Sequence, residues 1–145
     1  MVLKFYKNNA YPDIFLHDCQ FRITYENNNL ILLFPDGFMK QESSTLKRVK
    51  GHIQISDISL DELVIKVYRH EAQPGKYSAM VTEIELSELS DFFDRYSLEV
   101  LDEYYCWGQV LYKCHPYPYH DNQPFDQLEL TITYENRSLE YYLHI

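Results

Sequence analysis

The dipeptide His-Asp, an imidazole beside a carboxylate, occurs twice in this chain, at His17-Asp18 and His120-Asp121. A carboxylate beside a histidine selects its tautomer and holds the ring for proton transfer or for metal ligation. Adjacent side chains on an extended strand point to opposite faces, so one pair alone makes a poor site. A metal or small-ligand centre therefore needs both pairs to converge, or one pair to meet His52, His70 or His115. The local alternative is a strand entry in which Asp18 accepts backbone N–H groups and His17 is half exposed.

Thiol chemistry has weaker support. Cys106-Trp107-Gly108 and Cys114-His115 place thiols beside polar or aromatic neighbours, but nothing in the pattern lowers a thiol pKa. Cys19, Cys106 and Cys114 form neither an even disulfide framework nor a CxxC pair, and they read as buried thiols. The GxGxxG, GxxxxGK[ST], GxSxG and HExxH patterns are absent, and with them the usual markers of nucleotide, serine-hydrolase and zincin chemistry. The expectation is a non-enzyme without a cofactor.

Charge is the more informative signal. The 145 residues carry 22 acids and 13 bases, a net of −9, which repels phosphate backbones and anionic lipid. Neither nucleic acid nor a membrane is expected as a partner. Between residues 83 and 103, eight acids (Glu83, Glu85, Glu88, Asp91, Asp94, Glu99, Asp102 and Glu103) face only Arg95, a local net of −7. Such a field steers a basic protein toward it. Glu88, Asp91 and Asp94 are the candidate acidic contacts. Trp107, Tyr117 and Tyr119, the last two in a loop with three prolines, are the candidate aromatic ones, because amphipathic rings give contact area at low entropy cost.

These side chains need a frame. Cys19, Phe21, Ile23 and Tyr25 alternate with polar residues, as in a half-buried strand, and Asn27-Asn28-Asn29 turns the chain. Leu30–Phe34 is apolar throughout, reading as a strand covered on both faces and ended by the Pro35-Asp36-Gly37 turn. A looser basic stretch, Lys40 to Lys50, separates it from a second strand pair, Ile53/Ile55 with Leu63/Ile65/Val67. Tyr77–Leu86 reads as a strand. Ser87 is a candidate N-cap, and Leu89, Phe92, Phe93 and Tyr96 make a one-face helical stripe. Residues 98–115 form a hairpin turning at Cys106-Trp107-Gly108, and Leu128–Tyr134 with Leu139–Ile145 form a third hairpin. Ile-Thr-Tyr-Glu-Asn occurs at residues 23–27 and again at 132–136, which suggests equivalent turn chemistry.

The expected fold is mainly β (α+β), one domain over residues 1–145: an antiparallel sheet, sandwich or partly open barrel built of hairpins, with one short amphipathic helix near residues 88–96. No apolar run of about 18 residues is present, and Lys4 and Lys7 interrupt the N-terminal apolar residues early. A cytoplasmic location is expected.

Leu16-His17-Asp18-Cys19, Phe34-Pro35-Asp36-Gly37-Phe38, and Leu98 to Tyr112 after a short helix together resemble a family of small uncharacterised bacterial proteins. Some of its members are similar to immunity or accessory proteins of toxin systems. That resemblance implies a non-enzymatic protein with a protein partner. Three readings follow: a binding domain whose acidic surface meets a basic partner; a small-ligand or metal site at His17, Asp18, His120 and Asp121; or a homodimer formed through exposed strand edges.

Overall fold

Alternation places Phe21 and Ile23 on one face and Arg22 and Thr24 on the other, and the chain at Gln20–Glu26 is a strand with the first pair buried. The same period organises most of the molecule. The computed structural model describes residues 2–5, 13–73, 76–118, 123, 125–135 and 137–144. Its strands are β1 (Val2–Phe5), β2 (Ile14–Phe15), β3 (Gln20–Glu26), β4 (Asn29–Glu42), β5 (Thr45–Ile55), β6 (Leu63–Gln73), β7 (Lys76–Glu83), β8 (Ser97–Cys106), β9 (Gln109–Tyr117), β10 (Gln127–Thr133) and β11 (Leu139–His144), with one helix, α1 (Leu89–Arg95).

All eleven strands belong to one antiparallel sheet in the order β1-β11-β5-β4-β3-β8-β9-β10-β6-β7, with β2 added to β4. The sheet is mainly β in the expected sense and is not closed into a barrel. It does fold over on itself. Tyr105 on β8 and Tyr141 on β11 are four strand steps apart, about 19 Å in a flat sheet, yet their hydroxyls lie 2.7 Å apart. Strand β3 is the pivot: Gln20 and Phe21 pair with β8, while Arg22 to Glu26 pair with β4.

One core fills the fold. Phe21 and Phe34 sit with ring centroids 5.4 Å apart, Phe34 and Phe38 meet edge-on at 5.4 Å, and Phe38 reaches Tyr141 at 6.3 Å. Phe21 also reaches Tyr112 of the other half at 6.3 Å. Each such pair adds about 0.5–1.5 kcal/mol beyond its burial. Phe21, Leu130 and Ile132 are fully buried, as their alternation requires.

Several local expectations are corrected. Pro35-Asp36-Gly37 does not end a strand; β4 runs through it as a bulge, with the register against β5 shifting between Phe34 and Phe38. Gly37 is required there: its φ is +84°, and a Cβ would stand 2.4 Å from the Val49 carbonyl oxygen. Leu30–Phe34 is covered on one face only, since Leu33 is 42% exposed.

The basic stretch from Lys40 to Lys50 is the β4–β5 hairpin. Strand β5 does not pair with β6, nor β10 with β11; in both cases the chain crosses between halves of the sheet. At the second crossing the N–H groups of Tyr134 and Glu135 both donate to the Gly108 carbonyl, which carries the chain away from β10. The repeated pentapeptide is therefore not equivalent in its two places. The first copy ends in a hairpin with Asn27 and Asn28 at positive φ, and the second in this crossover.

Cys106 is exposed, while Cys19 and Cys114 are buried. Ser87 is not the helix cap: it lies inside a 3-10 turn, Leu86–Glu88, and Glu88 stands at the N-cap of α1.

Candidate functional site

Helix α1 buries Leu89, Phe92 and Phe93, and its next face overlooks a groove of about 330 Å³. Val67 and Ile84 form the floor, and Phe92, Tyr96 and Phe125 form an aromatic wall. The three rings pack as a unit. Phe92 and Tyr96 lie 4.8 Å apart, Tyr96 meets Phe125 edge-on at 5.1 Å, and Phe92 stacks with Phe125 at 5.9 Å. Glu88, Asp91 and Arg95 stand at the rim.

The helix is tied to β3 where Arg22 Nη2 donates to the Asp94 carbonyl at 3.1 Å, satisfying one of the acceptors a helix C-terminus leaves open. A groove lined by both carboxylates and aromatic rings suits a cation carried on an apolar stem. The carboxylates bind its N–H donors, and the rings offer their negative faces.

The structure divides the other candidates. Glu88 and Asp91 line the groove, and Asp94 is exposed on the same helix. Tyr117, exposed, pairs in register with Ser97, next in the chain to Tyr96, so it belongs to the helix end of the sheet. Trp107, 73% exposed, lies at the far end of the β8–β9 hairpin and does not join them. Tyr119, His120 and Asp121 lie outside the described residues.

The acidic run also divides. Glu83, Glu85, Glu88, Asp91 and Asp94 are exposed around α1, whereas Glu99 faces His115 Nε2 at 3.4 Å and Asp102 accepts from the Tyr104 hydroxyl at 2.9 Å.

His17 and Asp18 do meet, contrary to the expectation for an extended dipeptide. They occupy a turn, Asp18 has φ +62°, and His17 Nε2 lies 3.4 Å from Asp18 Oδ2. His17 Nδ1 is 2.6 Å from the Leu101 carbonyl, and the Asp18 N–H donates to the Val100 carbonyl at 2.8 Å. These bonds fasten the turn to β8. Asp18 thus uses its own N–H, and among the described residues its side chain accepts no backbone N–H. Among the described residues, no three His, Cys, Asp or Glu side chains are grouped to hold a metal.

One polar group escaped the sequence reading. Glu103, counted with the acidic surface, points inward. The register between β8 and β9 slips between Val100 and Asp102, and the extra residue inverts the face of everything after it. Glu103 therefore opposes Tyr112, and Tyr105 opposes Val110, all on the core side. Glu103 Oε2 and the hydroxyls of Tyr112 and Tyr134 are buried without a hydrogen-bond partner among the described residues.

Burial pushes the Glu103 carboxyl up to about 7; the Leu16 backbone opposes that rise and Asp102 adds to it. Burial likewise raises Tyr105, Tyr112 and Tyr141 well above the usual tyrosine range. The signal in the sequence is the adjacent apolar pair Val100-Leu101, which breaks the alternation where the bulge falls.

Fold and groove together define an open antiparallel β-protein carrying an acid-rimmed aromatic cleft beside its one α-helix among the described residues. No protein-family model, curated protein or solved structure matches the chain. No helix among the described residues is long and apolar enough to cross a membrane.

Proposed function

We propose that this protein is a non-enzymatic binding domain that takes a basic protein partner into the groove beside α1. Glu88 and Asp91 face the partner's lysine or arginine, and Phe92, Tyr96 and Phe125 cover the apolar stem of that side chain. The observation that carries this reading is that two exposed acids, Glu88 and Asp91, line the same groove as the three-ring cluster of Phe92, Tyr96 and Phe125. The division of labour follows from magnitudes. An exposed ion pair contributes about 0.2–1 kcal/mol, whereas a desolvated cation over a ring contributes up to about 2 kcal/mol. The five exposed acids around the helix act mainly on the association rate and its salt dependence. Neutralising a basic toxin, as an immunity or accessory protein in the cytoplasm does, is one form of this function.

The test is affinity capture from the native cell with wild type, with Tyr96→Ala and with the triple variant Glu88→Lys, Asp91→Lys, Asp94→Lys. A basic partner should be retained by wild type at low salt, released at high salt, and lost by both variants while their circular dichroism stays native. Equal retention by the triple variant excludes the acidic groove.

A second reading, self-association, rests on β7, an end strand of the sheet with Met80 56% and Val81 53% exposed. Sedimentation at several concentrations should then show a dimer that Val81→Lys abolishes; a monomer throughout excludes it.

A further inference from the structure

Strand β11 pairs with β5 from Ile55 to Lys50, where His144 is its last partner, whereas β4 stays paired with β5 as far as Thr45. From Val49 to Thr45 the second edge of β5 therefore carries no strand among the described residues. Alternate residues of a strand turn both N–H and C=O to the same side, so this edge presents unpaired main-chain donors and acceptors. Thr45, Leu46, Lys47 and Arg48 are all exposed. A hollow of about 250 Å³ marks the step where β11 stops. Its lining comes from both faces of β5, Lys47 and Val49 from one and Arg48 and Lys50 from the other.

Charge decides which strand this edge accepts. Lys47 stands directly opposite Lys40 across the β4–β5 ladder, and like charges so placed repel. Lys40 lies 3.7 Å from Glu42, and no ion pair among the described residues involves Lys47, Arg48 or Lys50. Arg48 donates to the Asp36 carbonyl at 3.0 Å, a neutral acceptor that leaves its charge in place.

A second copy of β5 laid along this edge would set the same cations against themselves. An acidic strand meets a cation on each face. Adjacent side chains of a strand point to opposite faces, so of two consecutive acids one lies beside Lys47 and the next beside Arg48, with Lys50 on the diagonal. Lysines on an edge strand turn away neutral and basic strands; toward an acidic one the same charges attract.

We propose that the open edge of β5 between Thr45 and Val49 takes an extended acidic segment of a partner protein as an added strand, in line with β11. Main-chain hydrogen bonds hold the segment, and its consecutive acids, divided between the Lys47 face and the Arg48–Lys50 face, select it. This edge shares no residue with the groove beside α1 and does not rest on that reading.

The test is an NMR titration of the whole protein with the blocked peptide acetyl-Val-Glu-Glu-Val-Glu-Glu-Val-amide, followed through the backbone amides. Saturable shifts at residues 45–49 are expected. Affinity should fall about tenfold or more for the same peptide N-methylated at its three central residues, which keeps the charge and loses main-chain donors. Lys47→Glu/Lys50→Glu should weaken binding as much and accept instead the peptide with lysine in place of glutamate, a rescue that a misfolded variant could not give. Undiminished binding of the N-methylated peptide reduces the effect to surface charge and overturns the proposal. Shifts confined to β1 or β7, or no saturable shift at millimolar peptide, overturn it as well. Shifts at residues 45–49 that grow with protein concentration alone put a second copy on the edge and exclude the acidic segment.

Discussion

Replacing Glu103 by glutamine should stabilise the protein at alkaline pH and leave it nearly unchanged at acid pH. The folded carboxyl titrates near 7, against an ordinary value of 4.5. Below 4.5 both folded and unfolded chains hold the proton and no penalty exists. Between 4.5 and 7 the unfolded chain ionises while the folded one keeps its proton, so stability falls by about 1.4 kcal/mol per pH unit. Above 7 the full penalty is present, about 3 kcal/mol by the same arithmetic. Glutamine carries no charge to bury, but it weakens the interaction with the Leu16 backbone and brings an amide that needs partners, so a net gain of about 2 kcal/mol is the working figure.

The assay is urea unfolding of both proteins at several pH values between 4 and 8, followed by near-ultraviolet circular dichroism of the tyrosines. Every other carboxylate titrates in both proteins, so the difference between their unfolding free energies isolates Glu103. A difference that grows with pH and levels off near pH 8 is the predicted result. A difference that stays constant across the range would refute the inward placement of this carboxyl.

Gly37→Ala should destabilise the fold by at least about 1 kcal/mol, because a left-handed backbone and a Cβ 2.4 Å from the Val49 carbonyl oxygen both oppose it; chemical denaturation measures this, and a neutral result contradicts the bulge. Of the three thiols only Cys106 is exposed, so a disulfide reagent should modify one thiol quickly in the native state and the other two only after unfolding. Burial also holds the Cys19 and Cys114 thiols above their ordinary range, which slows them further. Tyr141→Phe removes the hydroxyl that Tyr105 contacts at 2.7 Å and should cost about 1 kcal/mol, read from the same unfolding curves.

What the sequence made legible is what depends on neighbours in the chain. The alternation at Phe21 and Ile23, and again at Leu128, Leu130 and Ile132, marks buried faces, because a strand's side chains have a period of two wherever it pairs. The stripe of Leu89, Phe92, Phe93 and Tyr96 marks α1 for a similar local reason. The hairpins β3–β4 and β8–β9 were legible from their tight turns, but the partners of strands joined by longer connections were not. Leu128–Tyr134 and Leu139–Ile145 look like a hairpin, but the choice between pairing and crossing is made by Gly108, a contact about 26 residues away in sequence.

Bulges were the other blind spot. Pro35-Asp36-Gly37 has turn chemistry yet only shifts the register, and the slip after Val100 moves Glu103 from the expected surface to the interior. For the groove, the helix supplied visible acids and rings, but Phe125, Val67 and Ile84 come from distant segments and carry no local sign of joining them.

The central claim is that the cleft between α1 and the sheet is where a partner sits. Hydrogen–deuterium exchange on the complex with the captured basic partner tests it most directly. Slowed exchange over residues 84–96 and around Phe125, with little change along β7, is the predicted result. Protection confined to β7 or to the β8–β9 turn at Trp107, with the α1 segment exchanging as in the free protein, would contradict it.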